Sequence, residues 1–283
     1  MNDILVSIII PTHNRLAYLK KALNSVLSQT YENFEIIIVN DGSDDGTKEF
    51  LCTLKNKKIK VFHNEVSHGA CLSRNIGIYI AKGTLITFLD DDDEFLPQRL
   101  EEMISVYDCR WAYIASGYYY KNRYKCLKKI PPKIIDKDIM SYKIIIGNSV
   151  LVERNKILNI GGFDLNLKSS QDYDLWFRLN KTYGEAFCVQ NALFVMHADY
   201  DLERITNSIN KASGHFKFYI KHKADFKKKA RAAQLFRVIC YKRKKMGFRH
   251  LMCLVGSPVF VEALKYYLSK RFPLIKDVYR KIV

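Results

Sequence analysis

Four consecutive carboxylates, Asp90 to Asp93, follow a short apolar run at residues 84–89 that is typical of a buried strand. Such a row of like charges repels itself unless a cation or a hydrated surface relieves it. In one interpretation the carboxylates lie at the carboxyl end of a central strand and hold a divalent cation on a phosphate-bearing substrate. In the other they form a solvated turn that caps the next helix, since Asp is a favoured cap and Pro97 stands near a helix start. The row alone is compatible with both.

Composition limits the function classes. The chain has 283 residues, of which 48% are hydrophobic, and this content excludes disorder for most of it. Lys and Arg outnumber Asp and Glu by 46 to 29, a net charge of +17. That excess indicates an anionic partner: nucleic acid, an acidic lipid surface or a phosphorylated substrate. The seven dispersed cysteines favour a reducing cytoplasm over a disulfide framework, and the N-terminus shows no signal-peptide pattern.

Apolar strands alternate with amphipathic helices along the first hundred residues, which predicts a doubly wound α/β layer with ligands at the carboxyl ends of its strands. We expect strands at residues 4–10, 34–39, 59–62 and 84–89, and helices at 16–27, after 47 and at 69–81. Farther along, strands are expected within 111–120 and 144–152, a basic Pro-containing segment at 121–137, and helices near 103–107 and at 171–179.

Five motifs occur in a fixed order: Pro11-Thr12-His13-Asn14-Arg15, Asn40 to Thr47, Gly69 to Gly77, the acidic row, and Gln171 to Trp176. Over about residues 5–205 they resemble glycosyltransferase family 2 of the GT-A fold. The resemblance implies a doubly wound, mostly parallel central sheet with flanking helices, followed here by a basic helical C-terminal extension. It also favours the metal-site interpretation of the acidic row.

In the family's pattern Thr12 and Arg15 hold the nucleotide, and Asp41 accepts the imide N–H of uracil, as a carboxylate can. Arg74 would lie near the diphosphate or the donor sugar, where a planar cation bridges oxygens. The alternatives stay open at this point. Asp41 could form an Asx-turn in its Gly/Ser loop, and Arg74 could be a solvated helix arginine.

The family's DxD motif falls on Asp90 and Asp92. The resemblance implies that Asp92 is the direct ligand of Mg²⁺ or Mn²⁺, and that Asp90 or Asp91 binds the ribose or sugar of the donor. The metal would neutralise the diphosphate and stabilise the UDP leaving group. Asp93 is left as a possible helix cap.

Asp172 matches the family's catalytic base, although Gln171 replaces the acid that normally precedes it. Asp174 is the competing candidate, and a helix N-cap is the structural alternative for Asp172. Later, His197 resembles a residue that binds metal or diphosphate, with an ordinary structural histidine as the alternative. Arg204 would clamp the diphosphate.

Composition changes near residue 210, so we expect a catalytic domain at 1–210 and a basic amphipathic helical tail at 211–283. The apolar stretch at 251–264 is too short to span a membrane and predicts a helix pair. A cationic tail can lie on an anionic inner leaflet, or it can be a solvated helix face. Binding of the tail to the anionic leaflet predicts a cytoplasmic enzyme, peripheral on the inner face of the bacterial inner membrane.

The resemblance therefore implies an inverting, metal-dependent transferase that moves a hexose from a UDP-sugar to a sugar-diphospholipid acceptor in O-antigen or capsule synthesis. UDP-glucose and UDP-galactose are the favoured donors. Alternatives are another donor (UDP-GlcNAc or UDP-GalNAc), another acceptor, or an inactive relative that binds anionic membrane or nucleic acid. A nucleotidyltransferase is disfavoured because no Gly-rich loop follows the first strand. No nucleic-acid partner is expected, since the basic residues lack an RNA-recognition signature.

Overall fold

The computed structural model describes residues 4–147, 150–198 and 208–272. The chain forms two compact units. The first contains Met1–Lys137, Ile145–Leu165 and Leu175–Asp201, and the second contains Asp138–Ile144, Asn166–Asp174 and Leu202–Val283. The second unit therefore takes two segments from before residue 210 in addition to the C-terminal helices.

One sheet runs through the first unit. Its strands are β1 (Val6–Thr12), β2 (Phe34–Asp41), β3 (Ile59–Asn64), β4 (Leu85–Phe88), β5 (Glu94–Phe95), β6 (Ile114–Lys121), β7 (Cys126–Lys129), β8 (Ile134–Ile135), β9 (Leu151–Glu153) and β10 (Ala186–His197). The helices are α1 (Leu16–Leu27), α2 (Thr47–Thr53), α3 (Ala70–Ile80), α4 (Arg99–Ser105), α5 (Lys137–Tyr142), α6 (Arg154–Asn159), α7 (Gln171–Tyr183), α8 (Ser208–His222), α9 (Lys228–Tyr241), α10 (Phe248–Met252) and α11 (Phe260–Arg271).

The strand order is β3-β2-β1-β4-β9-β6-β10-β5, with β7 paired to β6 and β8 to β10. Strands β3, β2, β1 and β4 are mutually parallel, and so are β6 and β10, whereas β9 lies antiparallel to both β4 and β6. Every residue of β1 and β2 is buried, as near-continuous apolar strands covered on both faces should be. The predicted doubly wound, mostly parallel α/β fold is confirmed.

Helix α1 shows how the layers are held. Its buried residues Leu19, Ala22, Leu23 and Val26 have helical spacing and join the core that contains the β1 and β2 side chains. The predicted bounds of this helix, residues 16–27, agree with the structure.

The later strands differ from expectation. The predicted strand at 144–152 is formed only at Leu151–Glu153, and residues 148–149 lie outside the described part. The basic segment after Lys121 folds back as a hairpin, because Asn122 accepts the N–H groups of Tyr124 and Lys125 and closes a tight turn. Apolar and polar residues do not alternate regularly along the sequence of β10, because two register shifts interrupt its pairing with β6.

The second unit has its own apolar cluster, which includes Ala233 and Phe236 of α9, Leu251 of α10, Leu254, and Ala263 of α11. Helices α10 and α11 confirm the helix pair expected around residues 251–264, and the C-terminal extension is helical as predicted over its described part, which ends at residue 272. Among the described helices, none has the length and apolar composition that a membrane span requires.

Gly77 of α3 packs directly on β1. A Cβ atom at this position would lie 2.4 Å from Cγ2 of Ile9. We expect Gly77→Ala to lower the free energy of unfolding by about 1–3 kcal/mol, because overpacking outweighs the better helix propensity of Ala. Urea denaturation followed by circular dichroism measures the change.

The double variant Ile9→Ala/Gly77→Ala is the control. In the Ile9→Ala background the Gly77→Ala change should cost clearly less than in the wild type, since the clashing atom is gone. Equal costs in both backgrounds would show that the contact does not limit this helix.

Candidate functional site

The acidic row leaves β4 beside the end of β1. The N–H of Leu89 donates to the carbonyl oxygen of Ile9 (3.0 Å), and the N–H of Asp93 donates to that of Asp90 (3.0 Å), so the row turns immediately after the strand. One carboxylate oxygen from each of Asp90, Asp92 and Asp93 can be chosen so that the three lie within 4.8 Å of one another. Hard oxygen donors at this spacing fit Mg²⁺ or Mn²⁺. We call these three side chains the carboxylate cluster.

Asp91 has a different environment. It is 5% exposed, accepts a hydrogen bond from the hydroxyl of Thr12 (2.8 Å) and pairs with Nη1 of Arg15 (3.1 Å). Burial raises the pKa of Asp91 to about 6, against the opposing charge of Arg15. Asp91 thus ties the acidic row to the loop that follows β1.

Arg15 also lies 3.3 Å from Oδ2 of Asp92. Burial alone would lower the pKa of Arg15, but the charges of Asp91 and Asp92 outweigh it and raise that pKa above its ordinary value. The guanidinium therefore stays charged at the edge of the carboxylate cluster, where it can also meet an anionic ligand.

Arg74 reaches the same cluster from α3. Its Nη2 lies 2.6 Å from Oδ1 of Asp90, and its guanidinium stands over the ring of Phe163 at 5.5 Å. Asn75 fixes the backbone of Phe163 by donating to its carbonyl oxygen (2.9 Å) and accepting from its N–H (2.8 Å). The Arg-Asn pair thus has two tasks: the arginine contacts the acid, and the asparagine holds the ring beneath it.

Asp41, at the end of β2, organises the loop after β3. Its carboxylate accepts hydrogen bonds from Asn64 Nδ2 (2.7 Å), Ser67 Oγ (2.7 Å) and the N–H groups of His68 (3.0 Å) and Gly69 (2.7 Å). Burial would raise the pKa of Asp41, but these hydrogen bonds lower it below its ordinary value. Asp41 therefore fixes the loop from Asn64 to Gly69, and its predicted uracil-binding role stays a prediction.

The same loop passes closely over the turn after β2. Gly42 has φ +68°, and a Cβ atom there would lie 2.7 Å from the N of Ser67. A residue without a side chain is needed both for this backbone conformation and for this approach.

His197, the last residue of β10, lies next to the row. Its N–H donates to Oδ1 of Asp93 (3.0 Å), and its Nε2 lies 2.7 Å from Oε1 of Glu94. The carboxylate cluster does not include this side chain, and its predicted metal role stays a prediction. Arg204 lies outside the described residues.

Asp172 and Asp174 belong to the second unit, at the start of α7. Asp172 is partly exposed, and its Oδ1 accepts the N–H of Tyr173 (2.8 Å). Asp174 is fully buried, with Lys221 Nζ at 2.8 Å and His222 Nε2 at 2.7 Å from its Oδ1. Asp174 is thus occupied by buried ion pairs, whereas Asp172 is the more exposed of the two carboxylates, and its predicted role as base stays a prediction.

Sequence reasoning missed two parts of the site. Asp93 was expected only as a cap, yet its carboxylate joins the cluster and accepts the N–H of His197. The loop from Asn64 to Gly69 was also missed, although its polar run follows a predicted strand and thus marks the carboxyl edge of the sheet.

The hydrogen bonds of Asp41 give a prediction. Replacing it with Asn leaves an amide facing four donors, so Asp41→Asn should lower the free energy of unfolding by about 1–3 kcal/mol at pH 7 and speed amide exchange at His68 and Gly69. Hydrogen exchange and urea denaturation measure both. The exposed neighbour Asp44→Asn is the control and should change neither.

The pH dependence of this effect has a definite sign. A carboxyl group whose folded pKa is lowered stabilises the fold above its unfolded pKa, about 3.9, and loses that contribution as the pH falls through the lower folded value. The difference between wild type and Asp41→Asn should therefore be constant from pH 7 to 5 and shrink below about pH 4. A difference that grows in acid would contradict the assignment.

Comparisons with known proteins agree with this geometry. A family model described as "Glycosyl transferase family 2" matches residues 7–169. The protein is 34% identical over 267 residues to "Putative colanic acid biosynthesis glycosyl transferase WcaA" of Escherichia coli (strain K12), covering 90% of this chain and 94% of that protein. An uncharacterized glycosyltransferase of Rickettsia felis is 34% identical over 221 residues, 72% of this chain but 36% of that longer protein.

Solved structures show the same fold. S. aureus TarS 1-349 in complex with UDP-GlcNAc superposes with a TM-score of 0.69 at 18% identity, covering 93% of this chain and 80% of that one. The mannosyltransferase PcManGT from Pyrobaculum calidifontis, in complex with GDP-Man and Mn²⁺, gives a TM-score of 0.62 at 15% identity, covering 98% and 79%. The matched family model, the extent of the E. coli relative and the shared fold lead to one conclusion: the chain belongs to glycosyl transferase family 2.

Proposed function

We propose that the protein is an inverting, metal-dependent glycosyltransferase that transfers a hexose from a UDP-sugar to a sugar carried on a lipid diphosphate. The observation that supports this most directly is the carboxylate cluster with Arg15 and Arg74 on its flanks. Acids and arginines in one place provide both a cation site and donors for phosphate oxygens. The E. coli relative, named for colanic acid biosynthesis, supports a role in making a bacterial surface polysaccharide.

In this proposal Asp92 is the direct metal ligand, and Asp90 and Asp93 complete the oxygen donors. When bound, Mg²⁺ or Mn²⁺ would neutralise the negative charge of the diphosphate and so stabilise UDP as a leaving group. Thr12 and Arg15 position the nucleotide, and Arg74 contacts the diphosphate or the donor sugar. His197 and Arg204 are proposed to contact the metal or the diphosphate from the end of β10 and beyond.

Asp41 is proposed to shape the uracil site. In the structure its oxygens already hold the loop from Asn64 to Gly69. The carboxylate has four lone-pair positions on two oxygens, and the four donors of the loop already face them, so an imide N–H of uracil would share an oxygen with one of these donors.

Asp172 is the proposed base. The acceptor hydroxyl attacks the anomeric carbon, the bond from that carbon to the UDP oxygen breaks, and UDP leaves with the electron pair. The hydroxyl proton passes to the carboxylate of Asp172. A single displacement of this kind inverts the anomeric configuration.

The tail is proposed to dock on an anionic membrane, which would place the enzyme on the inner face of the bacterial inner membrane. In the second unit Phe248, Met252 and Val255 are 59%, 51% and 42% exposed. Basic residues at 242–245 and Arg249 lie next to them in sequence. Exposed apolar side chains among cations are what an anionic lipid surface accepts.

Transfer itself is tested by incubating the protein with Mn²⁺, a synthetic sugar-diphospholipid and a panel of UDP-sugars that includes UDP-glucose, UDP-galactose, UDP-GlcNAc and UDP-GalNAc. Formation of UDP and an extended lipid-linked sugar is the expected result. Absence of UDP binding together with absence of transfer from every donor would refute the proposed function.

The metal assignment predicts that Asp92→Asn weakens Mn²⁺-dependent UDP binding at least about tenfold, because a charged ligand is lost. Isothermal titration of UDP with and without Mn²⁺ measures this without any turnover. Asp108→Asn, which removes a surface acid paired with Arg110, is the matched control and should bind like wild type. Identical metal dependence in Asp92→Asn would remove Asp92 from the metal site.

The base assignment predicts that Asp172→Asn lowers kcat about 10²–10⁴-fold and leaves UDP affinity unchanged, since only proton removal is lost. Asp174→Asn serves as the comparison: it should lower Tm, because it removes the charge beside Lys221 and His222, and keep most of kcat. Full activity in Asp172→Asn, or inactivity with an unchanged Tm in Asp174→Asn, would exchange the two roles.

A further inference from the structure

Strands β6 and β7 are joined by an exposed basic turn. We call residues 121–129 the cationic hairpin. Each of its residues except Asn122 is exposed, and five of them are cations: Lys121, Arg123, Lys125, Lys128 and Lys129. No acidic residue occurs between 121 and 135. Like charges on paired strands repel one another, so an anion bound at the hairpin would stabilise it.

The hairpin lies close to the acidic row through one strand. His197 of β10, whose N–H binds Asp93, is the register partner of Lys121 on β6. The N–H of Ala198 also donates to the carbonyl oxygen of Lys121 (2.8 Å). Because neighbouring strands are about 4.8 Å apart, the hairpin begins one strand away from the residue that contacts the row.

Register also assigns the faces of the hairpin. Partners in paired strands project to the same side, so Lys121 shares the face of His197. Lys128 pairs with Tyr119, which in turn pairs with Val195, two residues before His197, and this places Lys128 on that face too. Two lysines are thus on the face of the sheet where the side chain of His197 contacts Glu94.

The tip is held in one conformation. Asn122 Oδ1 accepts the N–H groups of Tyr124 (2.9 Å) and Lys125 (2.7 Å), and backbone hydrogen bonds join Asn122 and Lys125 in both directions. Tyr124 at the tip is 82% exposed. An aromatic ring with a polar end, fixed beside cations, fits a sugar or an interfacial ligand and has no packing role within the described fold.

We propose that the cationic hairpin binds the diphosphate of the acceptor substrate. This inference rests on the proposed function. In the proposed function the donor diphosphate faces Arg15, Arg74 and the cation held by the carboxylate cluster. The acceptor brings a second diphosphate, one sugar away from the hydroxyl that reacts. Lys121 and Lys128 share the face of the sheet that carries the His197 side chain, and lysine ammonium groups bind phosphate as compact charges.

The test measures binding, not turnover. The probe is farnesyl diphosphate-linked N-acetylglucosamine, titrated into full-length protein that is saturated with UDP and Mg²⁺. Lys121→Gln/Lys128→Gln should bind it at least about tenfold more weakly than wild type, equivalent to about 1.4 kcal/mol. UDP affinity and Tm should be unchanged, since both side chains are exposed.

Three controls sharpen the test. Lys55→Gln/Lys57→Gln removes two exposed lysines elsewhere in the first unit and should bind the probe like wild type. Lys121→Arg/Lys128→Arg keeps the charges and should restore binding. Farnesyl N-acetylglucosaminide, which lacks the diphosphate, should not distinguish wild type from the Gln variant.

The outcomes distinguish a failure of the hairpin assignment from a failure of the proposed transferase activity. Equal binding of the probe by wild type and the Gln variant, or no binding by wild type, overturns the hairpin assignment even where UDP binds normally. Loss of binding to phosphatidylglycerol vesicles with unchanged probe affinity also overturns it and makes the hairpin a lipid contact. Hairpin-dependent probe binding in a protein that never binds UDP would keep the diphosphate site and refute the proposed transferase activity.

Discussion

Mutual repulsion among the carboxylates at the end of β4 is the constraint around which the first unit is arranged. Four negative charges on adjacent residues are stable only where cations and hydrogen-bond donors surround them. The end of β1 and the loop after it provide Thr12 and Arg15, α3 provides Arg74, and β10 provides the N–H of His197. The arrangement of the row therefore depends on parts of the chain that are distant in sequence.

The surrounding groups do not treat the four acids alike. Asp91 is buried against a hydroxyl and a guanidinium, and the other three carboxylates gather at a spacing that suits a divalent ion. Asp91 therefore stabilises the loop that carries Arg15, and the other three acids form the candidate cation site. Asp41 also combines two roles: its carboxylate orders a loop and lies at the predicted base site.

Much of the fold could be predicted from the sequence because the signals for its buried strands and helices are local. The buried strands β1, β2 and β4 are continuous apolar runs, and α1 has a clear helical period, so their bounds could be predicted closely. Strands β7 and β10 could not, because one is fully exposed and basic and the other is interrupted by register shifts. In such strands pairing partners decide the structure and intrinsic propensity does not.

The site divides in the same way. Motif order placed Thr12, Arg15, Asp41, Arg74 and the acidic row at one edge of the sheet, and the structure brings Thr12, Arg15, Arg74 and the row together. Which acid points where depends on side-chain rotamers and on donors that are distant in sequence. The pairing of Asp93 with a residue 104 positions away has no local signal at all.

The antiparallel strand β9 separates the two parallel groups of strands with only three residues. On one side, β1, β2 and β4 are fully buried, so substitutions there disturb packing at once. On the other side, β7 stands at an edge with every residue exposed, where most substitutions change folding free energy by no more than about 0.5 kcal/mol. Mutational tolerance is thus unequal across one continuous sheet: side chains of β7 can change at little cost in folding free energy, whereas those of β1, β2 and β4 cannot.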